Sequence, residues 1–142
     1  MGNLCSICRN DIFYMIIIYT YIYIIMSCLF NSFSYFFDEK STDIRNKICD
    51  YLQNNGVVIE GLSTTDVLLM ETPNYIQNMR HTSTWGGAIE IQAACNIWNI
   101  SVIVINIRDT PNISIEFLPI SKQINKIIHI EWSGGHYEPK RL

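Results

Sequence analysis

The stretch from Gly86 to Ile107 constrains the fold more than any other part of the chain. After Gly86-Gly87, a segment running to about Trp98 is apolar on two faces, with Ile89, Ala93 and Ile97 on one and Ile91, Ala94, Cys95 and Trp98 on the other. A helix apolar on more than one side belongs in the middle of a domain, not on its surface. Ser101 to Ile107 follows as a β-branched run, the pattern of an inner strand. Ile113 to Leu118 alternates and reads as a strand beside it. Lys126 to Trp132 reads as a third strand, with Ile128, Ile130 and Trp132 on one face. Ser133-Gly134-Gly135 is a turn, and His136-Tyr137-Glu138 leaves it as a short final strand.

The residues ahead of this block supply helices. Cys28 to Phe37 carries Leu29, Phe30, Phe33, Phe36 and Phe37 at helical spacings. Ser41 to Asn54 is a second helix whose core stripe is Ile44, Ile48 and Leu52; Ser41 or Thr42 is its expected cap, Asp43 suits its N-terminus, and Asn54-Asn55-Gly56 stops it. Thr64 to Met70 predicts a short helix, and Asn74 to Met79 begins another after Pro73. The chain has 142 residues, enough for one domain with one core. From Ser27 onward the chain reads as one compact α/β domain over residues 27–142, preceded by a hydrophobic segment over residues 1–26.

That leading segment admits several readings. From Ile12 to Phe37 no residue is charged, and Ile12 to Met26 is apolar or aromatic apart from Thr20. Residues 12–26 read as a membrane anchor on hydropathy. They read equally as an over-hydrophobic strand, with Tyr19, Tyr21 and Tyr23 alternating, or as a stretch misassigned to the coding sequence. Met1-Gly2-Asn3-Leu4-Cys5-Ser6 fits the N-myristoylation pattern, with Cys5 and Cys8 available for palmitoylation. Cys5-x-x-Cys8 is also half a zinc site, but no second ligand pair follows.

Charge and cysteine usage narrow the function classes. The net charge of -3 carries no nucleic-acid footprint, which would be a basic patch. Five cysteines, at positions 5, 8, 28, 49 and 95, make no disulfide framework and favour a reducing, cytoplasmic setting. No cofactor and no metal are expected, and the oligomeric state is not encoded in any recognisable way.

The chemistry concentrates at two positions. A cysteine nucleophile reacts as thiolate, and a helix N-terminus favours that form through its dipole and free N–H groups. Cys28 opens an apolar helix. His136 leaves a Gly-rich turn, where it can serve as base. Glu138 lies two residues on, on the same side of a strand, and can orient the imidazole. Taken alone, the residues leave the bland reading open: a cysteine in an apolar segment is commonly core filler. His81 and His129 compete poorly as bases, one in a polar loop and the other on a partly solvated strand face. Cys49 sits on the shoulder of its helix or beside Ile48, and Cys95 reads as core.

The order of several blocks carries a resemblance. Cys28-Leu29-Phe30-Asn31-Ser32-Phe33-Ser34, then Arg45 through Tyr51-Leu52, Tyr75-Ile76-x-x-Met79, Thr84-Trp85-Gly86-Gly87-x-x-Glu90-x-Gln92-Ala93, Ile103-Val104 and His136-Tyr137 follow in sequence. This series resembles the ovarian-tumour (OTU) family of cysteine proteases from about Ser27 to Tyr137. The resemblance implies an α+β fold, a short, mostly antiparallel sheet packed between helices, and a papain-like thiol mechanism acting on (iso)peptide bonds at the C-terminus of ubiquitin or a ubiquitin-like modifier. It implies Cys28 as nucleophile, His136 as base and Glu138 as the orienting group. Trp85 matches the aromatic before the Gly pair, where it is expected as a packing anchor more than a substrate contact.

One block departs from the pattern. Where the family has Asp-Gly-Asn before the cysteine, this chain has Ile25-Met26-Ser27. In the family the missing Asp helps build or brace the oxyanion loop, or serves in the triad, so the alternative implied is an impaired, ubiquitin-binding relative.

Overall fold

The structure is a computed structural model that describes Ile12, residues 15–18 and residues 26–141. The helices are α1 (Cys28–Phe37), α2 (Ser41–Gln53), α3 (Thr64–Glu71), α4 (Tyr75–Met79) and α5 (Ala88–Trp98). The strands are β1 (Ile100–Asn106), β2 (Ile113–Phe117), β3 (Lys126–Trp132) and β4 (Tyr137–Pro139). They form one four-stranded sheet in the order β2-β1-β3-β4.

The expected α+β class holds, and the helix and strand positions agree with the periodicities to within a residue or two. Two of the three strand pairings are antiparallel, β1 with β2 and β3 with β4. The third, β1 with β3, is parallel, with Val102 opposite Ile128 and Val104 opposite Ile130. The sheet is thus mixed. Side-chain alternation has the same period in either strand direction, so direction leaves no mark in the hydrophobic pattern.

The core forms where α1, α2 and α5 meet the sheet face carrying Val102, Val104, Ile128 and Ile130. Ile44, Ile48 and Leu52 of α2 lie in it as their spacing predicts. So do Leu29, Phe30 and Phe33 of α1, each contributing about 1.5–3 kcal/mol of burial. Cys49 and Cys95 are both fully buried, which settles Cys49 beside Ile48 and not on an exposed shoulder.

One local expectation changes and another holds. Helix α2 begins at Ser41 with Lys40 as N-cap and no side-chain cap bond, so neither Ser41 nor Thr42 caps it. At the turn after β3, Gly134 has φ +104°, and a Cβ there would meet Arg108 Cδ at 2.8 Å, so the position requires glycine.

The myristoylation pattern, Cys5-x-x-Cys8 and most of the apolar run at 12–26 fall outside the described residues. Among the described residues no helix is long and apolar enough to cross a membrane, so the anchor expectation gains no support here.

Candidate active site

Cys28 is the first residue of α1, and its side chain is almost fully buried. Ser27 precedes it as N-cap, with φ -97° and ψ 8°, in the sparsely populated bridge region. From the other end of the chain, β4 runs past the same point. Its first backbone N–H, that of Tyr137, donates to Cys28 Sγ at 3.3 Å. Burial pushes the thiol up from its ordinary value of 9.0; the N–H groups of Tyr137, Leu29 and Cys28 itself pull it back, and the Glu138 carboxylate pushes it up.

His136 and Glu138 meet as the period-two argument expects: His136 Nε2 lies 3.2 Å from Glu138 Oε1. Both line a cleft of about 490 Å³ with Cys28, Asn31 and Arg141. The three residues singled out in the sequence therefore share one place in the fold. No hydrogen bond joins the imidazole to Cys28 Sγ among the described residues. The pair shares a cleft without being closed, a loose geometry familiar in thiol sites without substrate.

A second, tighter slot of about 150 Å³ also reaches Cys28, between Trp85, Gly86, Trp132 and Gly135. Trp85 is 50% exposed, so it is not the buried anchor expected of it. Its ring forms a wall instead, with Cη2 about 3.7 Å from where a Cβ on Gly135 would stand. His81 is exposed and His129 partly exposed, and neither lines these two clefts.

Two buried polar groups hold the walls. Arg45 is 2% exposed, its guanidinium 4.0 Å over the Phe30 ring. Nη1 donates to the carbonyls of Met79 and Thr84, both at 2.9 Å. Glu90 is fully buried; Oε1 accepts from Tyr75 Oη at 2.5 Å and Oε2 from the Gly87 N–H at 2.7 Å. Burial raises the Glu90 carboxyl above the usual carboxylate range, against the bonds from Tyr75 and Gly87. In the sequence Arg45 stands only as part of a motif block. The signal was present, because Arg45, Cys49 and Leu52 stand at i, i+4 and i+7 on the apolar stripe, a place for a charge only if it is buried and satisfied. The Tyr137 N–H has no sequence signature at all.

No group of three or more His, Cys, Asp or Glu side chains among the described residues could hold a metal ion. The arrangement offers a thiol at a helix N-terminus, backbone donors aimed at it and an imidazole–carboxylate pair across a cleft. These are the parts of a thiol acyl-transfer site.

Comparison with known proteins places this arrangement. The OTU-like cysteine protease model matches residues 27–137. A curated relative, the ovarian tumor domain-containing deubiquitinating enzyme 9 of Arabidopsis thaliana, is 28% identical over 116 residues, covering 78% of this chain and 32% of its own length. The chain therefore spans about a third of that relative. Among solved structures, an OTU domain in complex with ubiquitin superposes with TM-score 0.64 at 26% identity, over 80% of this chain and 62% of that one. The viral OTU domain protease from Dera Ghazi Khan virus gives TM-score 0.59 at 20% identity, over 80% and 72% of the two chains. The matched span runs from the residue before Cys28 through the Tyr137 that contacts it, and the chain belongs to the OTU-like cysteine protease family.

Proposed function

We propose that this chain is a thiol protease that cleaves (iso)peptide bonds at the C-terminus of ubiquitin or a ubiquitin-like modifier, with Cys28 as nucleophile, His136 as base and Glu138 as the group that orients it. The observation that carries the reading is the convergence on one sulfur: the Tyr137 N–H donates to Cys28 Sγ, while the residue before Tyr137 is His136, paired to Glu138 in the same cleft. The solved relative bound to ubiquitin supports the substrate class.

The chemistry follows from the parts. With Nε2 engaged by Glu138, Nδ1 is the imidazole nitrogen left to take the Cys28 proton. The thiolate attacks the carbonyl carbon of the modifier's C-terminal residue. N–H groups at the start of α1 stabilise the oxyanion that forms. The C–N bond breaks, and the leaving amine takes the proton back from His136. Water, deprotonated by His136, then attacks the thioester and frees the carboxylate and the Cys28 thiol. The slot between Trp85, Gly86 and Gly135 suits an extended chain without side chains.

The test is cleavage of di-ubiquitin, and labelling by ubiquitin bearing a C-terminal electrophile, by the full chain and by Cys28→Ala. The expected outcome is cleavage and labelling that Cys28→Ala abolishes. Absence of both in the unaltered chain, or activity that survives Cys28→Ala, overturns the reading.

A further inference from the structure

Serine is a favoured N-cap because its hydroxyl can accept from the first free N–H groups of the helix. Ser27 stands at that position of α1 and does not do so. Its Oγ donates to the Thr82 carbonyl at 3.0 Å and accepts from Arg45 Nη2 at 3.4 Å. Arg45 Nη2 also reaches Thr82 O, at 3.3 Å. Ser27 and Arg45 are each 2% exposed, so water does not compete for these bonds.

This diversion has two effects. It ties the turn before the nucleophile to the 82–84 loop, whose Thr84 carbonyl is also held by Arg45 and which leads directly into Trp85 and Gly86. It also leaves the opening N–H groups of α1 without a side-chain cap. Those of Cys28 and Leu29 act on the sulfur instead. A capping hydroxyl accepts from the second or third N–H of the helix, and so would compete for that of Leu29.

We propose that Ser27 is a positioning residue: its hydroxyl, held by Thr82 and Arg45, fixes the turn that keeps the first N–H groups of α1 on the Cys28 sulfur, at a position where the chain carries Ile25-Met26-Ser27 and not Asp-Gly-Asn. The inference concerns the site of the proposed thiol protease and rests on that reading for its catalytic meaning. Its geometric content stands on the thiol alone.

The experiment reads Cys28 directly. The full chain and its Ser27→Ala, Ser27→Gly and Ser27→Thr variants are alkylated with iodoacetamide across a pH series, and modification is followed by mass spectrometry on the Cys28 peptide, so Cys5 and Cys8 do not interfere. The ionisable groups that face the thiol are His136, Tyr137, Glu138 and Arg141 from the β4 side, with Arg45 behind the turn, and all are retained in every variant. Removing the hydroxyl is expected to slow Cys28 alkylation near neutral pH by about three- to ten-fold, the range carried by one hydrogen bond of ordinary strength, and to move the profile to higher pH. Ser27→Thr restores rate and profile. Ser27→Gly, which keeps a good N-cap residue without the hydroxyl, gives the same shift as Ser27→Ala even where the alanine variant folds poorly. An unchanged profile in folded Ser27→Gly, or a lower melting temperature without a profile shift, overturns the proposal. A shifted profile in a chain that ubiquitin electrophiles fail to label keeps the positioning role and removes the protease reading.

Discussion

The backbone N–H of Tyr137 donates to the sulfur of Cys28 across 3.3 Å, joining β4 to the first residue of α1. The donor belongs to the residue after His136, so one short strand both brings the imidazole to the cleft and supports the thiol. The same strand carries the opposing influence, since the Glu138 charge disfavours the thiolate that Tyr137 favours.

That opposition gives Glu138→Gln two effects of opposite sign. Removing the charge lowers the thiol's pKa, so Cys28 alkylation near neutral pH is expected to rise, by about two-fold because Glu138 is 68% exposed and well screened. The gain disappears in about 1 M salt, where the screening length is about 3 Å. Ubiquitin cleavage falls by about ten-fold or more in kcat, because His136 loses an anionic partner, while KM holds. Equal changes in alkylation and cleavage rule out Glu138 as the orienting group.

The two glycines after Trp85 respond differently to a methyl group. A Cβ on Gly86 would lie 2.8 Å from Leu29 Cδ2 and 3.0 Å from the Phe30 ring, both fully buried next to Cys28. One on Gly87 meets nothing within 4 Å. Gly86→Ala is expected to cost about 1–3 kcal/mol in denaturant melts and to depress Cys28 reactivity through the displaced start of α1. Gly87→Ala leaves reactivity within two-fold of the parent, by about the margin expected of an open site. Equal losses at both positions defeat the close-approach account of Gly86.

Much of this was legible from residue spacing, and what was not has a physical reason. Ile44, Ile48 and Leu52 announce one buried stripe, and Lys126 to Trp132 matches β3 residue for residue. Glu138 meets His136 because strands repeat every two residues. The nearness of Cys28 to β4 has no local signature; only the order of the blocks pointed to it. The parallel pairing of β1 and β3 was hidden because alternation ignores direction. Trp85 is expected to pack at the helix entry from its place before the Gly pair, whereas here it is half exposed and walls a cleft with Gly86 and Gly135. Backbone donors such as the Tyr137 N–H are common to nearly every residue type and cannot be read from identity.

Glu90 is buried with two donors to satisfy, Tyr75 Oη and the Gly87 N–H. Glutamine can accept from Gly87 through its oxygen and donate to Tyr75 through its amide, so Glu90→Gln is expected to cost only about 1 kcal/mol. Glu90→Ala strands both partners and opens a void, at about 3 kcal/mol or more. Urea melts of both variants check the ordering. Equally large losses in both variants would mean that the carboxylate charge, which both remove, and not its two acceptor oxygens, holds the start of α5.

The two core thiols make stability fall in alkali. Burial pushes Cys49 up to about 11 and Cys95 up to about 12, from the ordinary 9.0. A raised folded value means the unfolded chain releases its proton first. The contribution is therefore complete below about pH 9 and is lost as pH rises toward the folded values. Between about pH 8 and pH 10 each thiol is expected to cost about 1 kcal/mol of unfolding free energy. Cys49→Ala carries a packing penalty at every pH, and alkali costs it about 1 kcal/mol less than it costs the parent. Urea melts at the two pH values measure both. Parallel losses in parent and variant would mean that Cys49 ionises as readily in the fold as outside it, and would place the alkaline sensitivity on other groups.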